Sequence, residues 1–231
     1  TDCAAGSGAD TLTLTLTTNF DATGGAFAGS SNLSGSQAYY PDITSDITIN
    51  EASAVYNFVF SAVGNVRIFN VMATGDLSLE GVGILGSTVN PARNTFPDPP
   101  TEPARGGAIY LDDGTLSITD STLSSNGATG SAVTVYGDVA QPGQGGAIYG
   151  TANSTITSLT NVNFLDNVVR GGNGDGLDPA EEAAGGAIYI LGSIAVMNNV
   201  TLNRNIATGG SGDFAADGQA RGGGIYAQTI T

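Results

Sequence analysis

The sequence predicts an all-β protein, a right-handed parallel β-helix (a solenoid) with long lateral loops between its rungs, and three observations predict it. The first is a recurring tetrapeptide: GGAI stands at 106–109, 145–148 and 185–188 and returns as GGGI at 222–225, at intervals of 39, 40 and 37 residues. Each copy is followed by Tyr: Tyr110, Tyr149, Tyr189 and Tyr226. The second is a landmark some twenty residues on, an apolar residue three before an Asn, in the pairs Leu123 and Asn126, Phe164 and Asn167, Leu202 and Asn205. The third is strict alternation between the landmarks, as in Leu116-Ser-Ile118-Thr and Val200-Thr-Leu202, with no helical periodicity anywhere.

Each part of the repeat has a physical reason. A segment of about twenty residues with three short strands cannot bury its own apolar face, so copies must stack at the inter-strand spacing of roughly 4.8 Å. Stacking puts Leu123, Phe164 and Leu202 over one another in an internal column. Asn126, Asn167 and Asn205 are expected to form a second column at a turn, because Asn tolerates left-handed backbone and its amide can bond to its own equivalent one rung along. The paired glycines permit the sharp re-entry into the next rung. Like placed on like also makes the four tyrosines a packed ladder. A β-propeller shares a period near 40, but its blades commonly carry Trp-Asp or Gly-His marks, and this chain has no Trp and no His.

Along the chain, residues 10–17 (DTLTLTLT) and 43–49 (ITSDITI) read as strands of the first rungs or of a cap, occupying 1–64. An earlier rung without the tetrapeptide follows, in RIFNV at 67–71 and DLSLEGVGIL at 76–85, and the repeat helix fills 65–231, continuous with the cap. Between rungs lie excursions at 88–105, 127–144, 168–184 and 206–221, which recur at one place in the repeat and so should form one composite face. The first carries Pro91, Pro97, Pro99, Pro100 and Pro103 and is expected to be stiff. The final segment, from Gly222 to Thr231, starts a fresh rung and stops halfway, which predicts open backbone donors and acceptors there. Docking of the strand from Thr11 to Thr17 of a neighbouring copy on that edge would give head-to-tail self-association.

Composition narrows the function classes. The 231 residues carry 21 acidic and 6 basic residues, all six Arg, for a net charge of −15. That charge repels nucleic acid and anionic lipid, so neither is expected as a partner. No apolar window is long enough for a membrane-spanning helix. Cys3 is alone and has no internal disulfide partner. Triads that depend on His are excluded.

An enzymatic reading needs a cationic base beside acidic ligands, or paired carboxylates at fixed separation. Asp112 and Asp113 are the one adjacent acidic pair on a rung, and they read as a solvated turn. Four of the arginines lie in or beside the excursions. No catalytic residue is therefore assigned. A polysaccharide lyase or hydrolase on the same fold is the enzymatic alternative. One loop has metal-like spacing: Asn173, Asp175 and Glu182 match the middle and end of an EF-hand-type loop, with Gly171 where the first ligand would be, which makes Ca2+ the one candidate cofactor. Sequons stand at Asn32, Asn153 and Asn199, the last within a strand-like run.

The GGAI tetrapeptide, followed by an apolar residue three before an Asn, resembles the repeats of chlamydial-type polymorphic outer membrane proteins and related bacterial surface β-helices over residues 65–231. The opening DTLTL, then ITSDITI, is similar to that of large secreted bacterial proteins with a CSLREA-type entry segment, although that motif itself is missing here. The resemblance implies an extracellular or cell-surface β-helix doing structural or adhesive work, with no active site to transfer. Two function classes follow: a structural protein, as fibre subunit or stalk, and an adhesin whose lateral loops contact a host or matrix ligand.

Overall fold

The computed structural model of the chain describes residues 10–14, 20–21, 37–38, 42–51, 58–61, 65–90, 102–133 and 139–230. Cys3, Asn32, residues 15–17, four of the five prolines of the first excursion and Thr231 lie outside the described residues. Among those described, regular structure is entirely strand, with parallel strands stacked into a β-solenoid of about four turns.

Register defines the coil. Ile109 pairs with Phe69 on one side and with Ile148 on the other, and the column continues through Ile188 to Ile225. The whole repeat of 37 to 40 residues is thus one turn, which corrects the expected rung of about twenty. A rung of twenty would hold only three of the five strands a turn contains, as Ile109–Leu111, Thr115–Thr119 and Thr122–Ser124 do in the first long coil. The remainder belongs to the excursions, whose ends are themselves strands.

Four larger parallel sheets run along the axis, and a short two-stranded one pairs Gln37–Ala38 with Val66–Arg67. The long sheet has eleven strands: Asp10–Leu14, Asp46–Glu51, Asp76–Glu80, Thr115–Thr119 and Thr155–Thr160 on one half, Phe69–Val71, Ile109–Leu111 and Ile148–Gly150 on the other. Ile188–Ile194 spans both halves, with Met197–Asn198 and Ile225–Ile230 pairing at their edge. A six-stranded sheet collects Phe20–Asp21, Phe58–Ser61, Val82–Leu85, Thr122–Ser124, Asn163–Leu165 and Thr201–Asn203. Two four-stranded sheets carry the excursions. Outgoing strands are Thr88–Val89, Gly127–Thr129, Val168–Arg170 and Ile206–Thr208, and returning strands are Ala104–Arg105, Gly143–Gln144, Ala183–Ala184 and Ala220–Arg221. The coil from Asp46 to Asp76 spans only 30 residues and has no such excursion.

The alternation read from the sequence fixes which side is buried. In Thr115–Thr119, Leu116 and Ile118 are buried while the hydroxylated residues between them face outward. The main core is therefore a set of columns, one of which runs Phe60, Ile84, Leu123, Phe164, Leu202 in register. A bulge absorbs one extra residue: Leu116 pairs with Ile156 but Ser117 with Ser158, so Thr157 is pushed out and bonds back to the Leu116 carbonyl at 3.1 Å.

The paired glycines of the tetrapeptide have two different reasons. Gly106, Gly145, Gly185 and Gly222 have positive φ, between 55° and 70°, and turn the chain into the long sheet. The second glycine is required by close approach: a Cβ on Gly146 would lie 2.1 Å from the Gly186 carbonyl oxygen of the next coil. At Gly224, which stands where the other copies have Ala, an added Cβ would make only ordinary contact with Leu202, at 3.6 Å and beyond. Gly146→Ala is accordingly expected to cost about 1–3 kcal/mol or more as overpacking, whereas Gly224→Ala should be neutral or add roughly 0.5 kcal/mol by restricting the unfolded chain. Urea unfolding of the two variants checks this, and equal effects would contradict it.

Candidate functional site

The excursions do not hang free. Their outgoing and returning limbs form a lateral fin, bonded in a zigzag from coil to coil. The Gln141 N–H donates to the Ser131 carbonyl, Gly172 to Gln141, Glu181 to Gly172, Gly210 to Glu181 and Gly218 to Gly210, all between 2.9 and 3.0 Å. Each bond joins an outgoing to a returning limb, so each limb between Ser131 and Gly218 is held by two others. Small residues make this approach possible; a Cβ at Gly172 would sit 1.9 Å from the Ser131 oxygen. Between the two limbs, at the base of the fin, Val89, Ala104, Ala128, Val169 and Ala183 form a second, separate core.

On the outer side of the outgoing sheet lies a trench of about 360 Å³ that crosses three coils. One wall is the row Thr129, Arg170, Thr208, paired side by side in parallel register. Gly130, Gly171 and Gly209 line the floor, and Ala132, Asn173 and Ser211 the far rim. Asn173 is placed by its own amide oxygen, which accepts the Ser211 N–H at 3.0 Å. The Arg170 side chain is exposed and makes no hydrogen bond or ion pair among the described residues. The other described arginines are engaged: Arg67 is buried, Arg105 bonds Gln144, Arg204 pairs with Asp166, and Arg221 bonds Gln219 and faces Glu182 at 3.5 Å. Ser131, between the trench residues Gly130 and Ala132, is buried with its hydroxyl unpartnered in the structure.

Two ladders support this surface from within. Asn126 donates both its N–H and its side-chain amide to the Asn167 Oδ1 at 3.0 Å, and Asn167 does the same to Asn205 Oδ1 at 3.1 and 2.9 Å. The second amide proton of each Asn caps a carbonyl one coil back: Ile84 for Asn126, Leu123 for Asn167, Phe164 for Asn205. Ser87 takes the place of Asn at the head of the column, its N–H donating to Asn126 Oδ1. These asparagines do not adopt the left-handed conformation expected of them. The residue before each one does: Ser125, Asp166 and Arg204, with φ from 53° to 56°. Turning one residue earlier points the amide into the corner, where it closes backbone bonds that the turn would otherwise orphan.

The tyrosines stack on the outer face of the long sheet, with centroids 5.2, 5.4 and 4.9 Å apart from Tyr110 through Tyr149 and Tyr189 to Tyr226, and planes within 14°. Arg67 ends this ladder. Its guanidinium lies 4.9 Å over the Tyr110 ring and donates to the carbonyls of Gly106 and Arg105 at 3.0 and 2.6 Å and to Asn70 Oδ1. In later coils the equivalent carbonyls, of Gln144 and Gly145, accept from the N–H groups of Gly106 and Gly107. In the short coil before the fin the Arg67 side chain supplies the donors to the carbonyls of Gly106 and Arg105. Its burial lowers the guanidinium to about 10, with the Tyr110 phenol opposing that shift. Nothing in the sequence marks Arg67 apart from its place just before the first long coil.

The three residues of the calcium-like loop are spread along the fin. Asn173 is on the trench rim, Asp175 is exposed where the limb turns, and Glu182 faces Arg221 of the next coil. Among the described residues no group of three or more His, Cys, Asp or Glu is placed to hold a metal ion. Asp113 forms a left-handed turn; hydrogen bonds from Thr151 and Asn153 hold its carboxyl below the usual range. Asn199 stands at an exposed left-handed corner rather than in a strand. No helix among the described residues is long and apolar enough to cross a membrane.

The ladders generate two predictions. Asn167→Ala orphans two donors of Asn126 and the Leu123 carbonyl, and is expected to cost about 3 kcal/mol or more, at roughly 1–3 kcal/mol per orphaned group. Asn167→Asp should be worse at neutral pH. Burial raises the new carboxyl above its unfolded value, so the deficit shrinks as pH falls toward about 4; a deficit independent of pH would contradict the burial of this column. For the tyrosines, burial first, then Tyr149 and Tyr226, pushes the Tyr189 phenol up to about 12 from 10.0, and burial raises Tyr110 and Tyr149 as well. The Tyr189 contribution to stability is full below pH 10 and is lost as pH rises through about 12, and those of Tyr110 and Tyr149 are lost in the same direction. Phenolate absorbance should therefore show a delayed class of tyrosines that ionises together with unfolding.

Comparison of the chain with protein-family models, with curated proteins and with solved structures finds no match.

Proposed function

We propose that the protein is an extracellular structural element that extends by coil stacking, as the subunit of a self-assembling fibre or as a stalk at the cell surface. The observation that carries this reading is that Asp10–Leu14 and Ile225–Ile230 bound opposite ends of the same parallel sheet. A second copy placed head to tail would continue that sheet without a change of direction. The last coil supports the same occupant. Leu202 is 39% exposed, although its in-register neighbours Leu123 and Phe164 are at 1% or less. Asn205 is half-buried, and the described residues offer its N–H no Oδ1 of the kind that serves Asn126 and Asn167. A further coil would supply both the apolar cover and the acceptor. The resemblance of the repeat to bacterial surface β-helices points the same way.

The reading predicts that the 231-residue chain assembles into uniform filaments as its concentration rises, seen by negative-stain electron microscopy. Leu202→Asp should abolish assembly while the circular dichroism of the coils is retained, as should removal of residues 222–231. Single short rods at every concentration would overturn the reading.

The trench favours a second reading, an adhesin that meets its ligand through the lateral loops, because it is a recess on the fin with a cation in it that is unpaired among the described residues. Ligand capture lost on trimming 172–182, with the fold intact, supports it; capture unaffected by trimming counts against it.

A further inference from the structure

We infer that the trench on the fin is a binding site for a sugar unit bearing a single carboxylate, with Arg170 as its anchor. The inference gives the lateral-loop reading its ligand and rests on that reading; it is independent of end-to-end association.

The charge balance makes Arg170 unusual. In a chain of net charge −15 every other described arginine is spent on a carbonyl, an amide oxygen, a ring or a carboxylate, yet Arg170 projects into a recess where none of the described lining residues is acidic. A planar guanidinium with free donors matches a carboxylate in bidentate geometry. Its neighbours on the same wall are hydroxyls: Thr129 and Thr208 are its register partners one coil to either side, so each stands roughly 4.8 Å away along the axis. Across the glycine floor, the Ser211 hydroxyl and the Asn173 amide nitrogen stand on the rim, the Asn173 oxygen being already used. The set is one cation with hydroxyl and amide groups on both sides, which is the complement of a carboxylate flanked by hydroxyls. The lining has no apolar side chain larger than Ala132, which argues against a lipid or an aromatic ligand. The overall negative charge argues against a long polyanion, because repulsion grows with each added charge. A mostly neutral glycan with an acidic unit meets both limits.

The test uses the full chain, 15N-labelled, and D-glucuronate as the probe, with D-glucose and acetate as controls and amide shifts as the readout. Glucuronate should shift the amides of Gly130, Gly171 and Gly209 with a Kd on the order of 1 mM. Arg170→Gln should weaken binding by about tenfold or more, as expected for a lost charge-assisted pair, and Arg221→Gln, which removes an arginine outside the trench, should leave it unchanged. Glucose should leave the trench amides in place. Acetate shifting the same amides with the same affinity would overturn the sugar assignment, and so would an absence of shifts with glucuronate. Shifts confined to the loop tips near Leu177 and Phe214 would end the trench assignment while leaving the lateral-loop reading intact.

Discussion

The backbone groups of a solenoid's strands must find their partners one coil above or below, since no strand pairs with its neighbour in sequence. That constraint sets the rest of this molecule. A coil that gains a residue must expel it, as Thr157 is expelled, or pass the shift on to all later columns. A coil that is shorter than its neighbour leaves groups without partners, and the chain must provide substitutes. Arg67 is such a substitute: where the 30-residue coil meets the first long one, one side chain closes two carbonyls and the open face of the tyrosine stack. Arginine suits the position because its donors are rigidly splayed and its plane can stack, properties a lysine lacks.

The same constraint explains why polar residues can live inside the corners. An isolated buried amide is costly. In a column, each Asn is the solvent of the next, with donors directed forward and one proton directed back to a carbonyl. The column has polarity, because all its oxygens accept from the preceding coil. Its head is closed at Ser87, and at Asn205 the described residues offer the N–H no further Oδ1 acceptor.

Much of this was legible in the sequence. The GGAI copies and the spacing from Leu123 to Asn126, Phe164 to Asn167 and Leu202 to Asn205 placed the columns, because identical positions stack on identical positions. The length of the turn was not legible, since the excursion ends, such as Gly143–Gln144 and Ala183–Ala184, are short and small and carry no strand pattern; only their pairing makes them strands. The left-handed corner was assigned one residue late because Asn is the usual occupant of that conformation, whereas Ser125, Asp166 and Arg204 are forced into it by the closure of the coil. The trench was not legible at all. Thr129, Arg170 and Thr208 are 41 and 38 residues apart and share no motif, and they become neighbours only through register.

The zigzag of the fin bears on how the chain acquires its structure. In the zigzag each limb bonds to the other limb of its own coil or to a limb of an adjacent coil, so a newly added coil finds its template in its predecessor and in nothing farther away. Sequence separation between contacting residues stays near one coil however many coils there are, and the entropy of closing each loop is therefore constant along the chain. Duplication of a coil would lengthen the rod without slowing the search for its native pairing. Growth by repetition is thus kinetically open to this architecture in a way that it is not to a fold whose ends must meet.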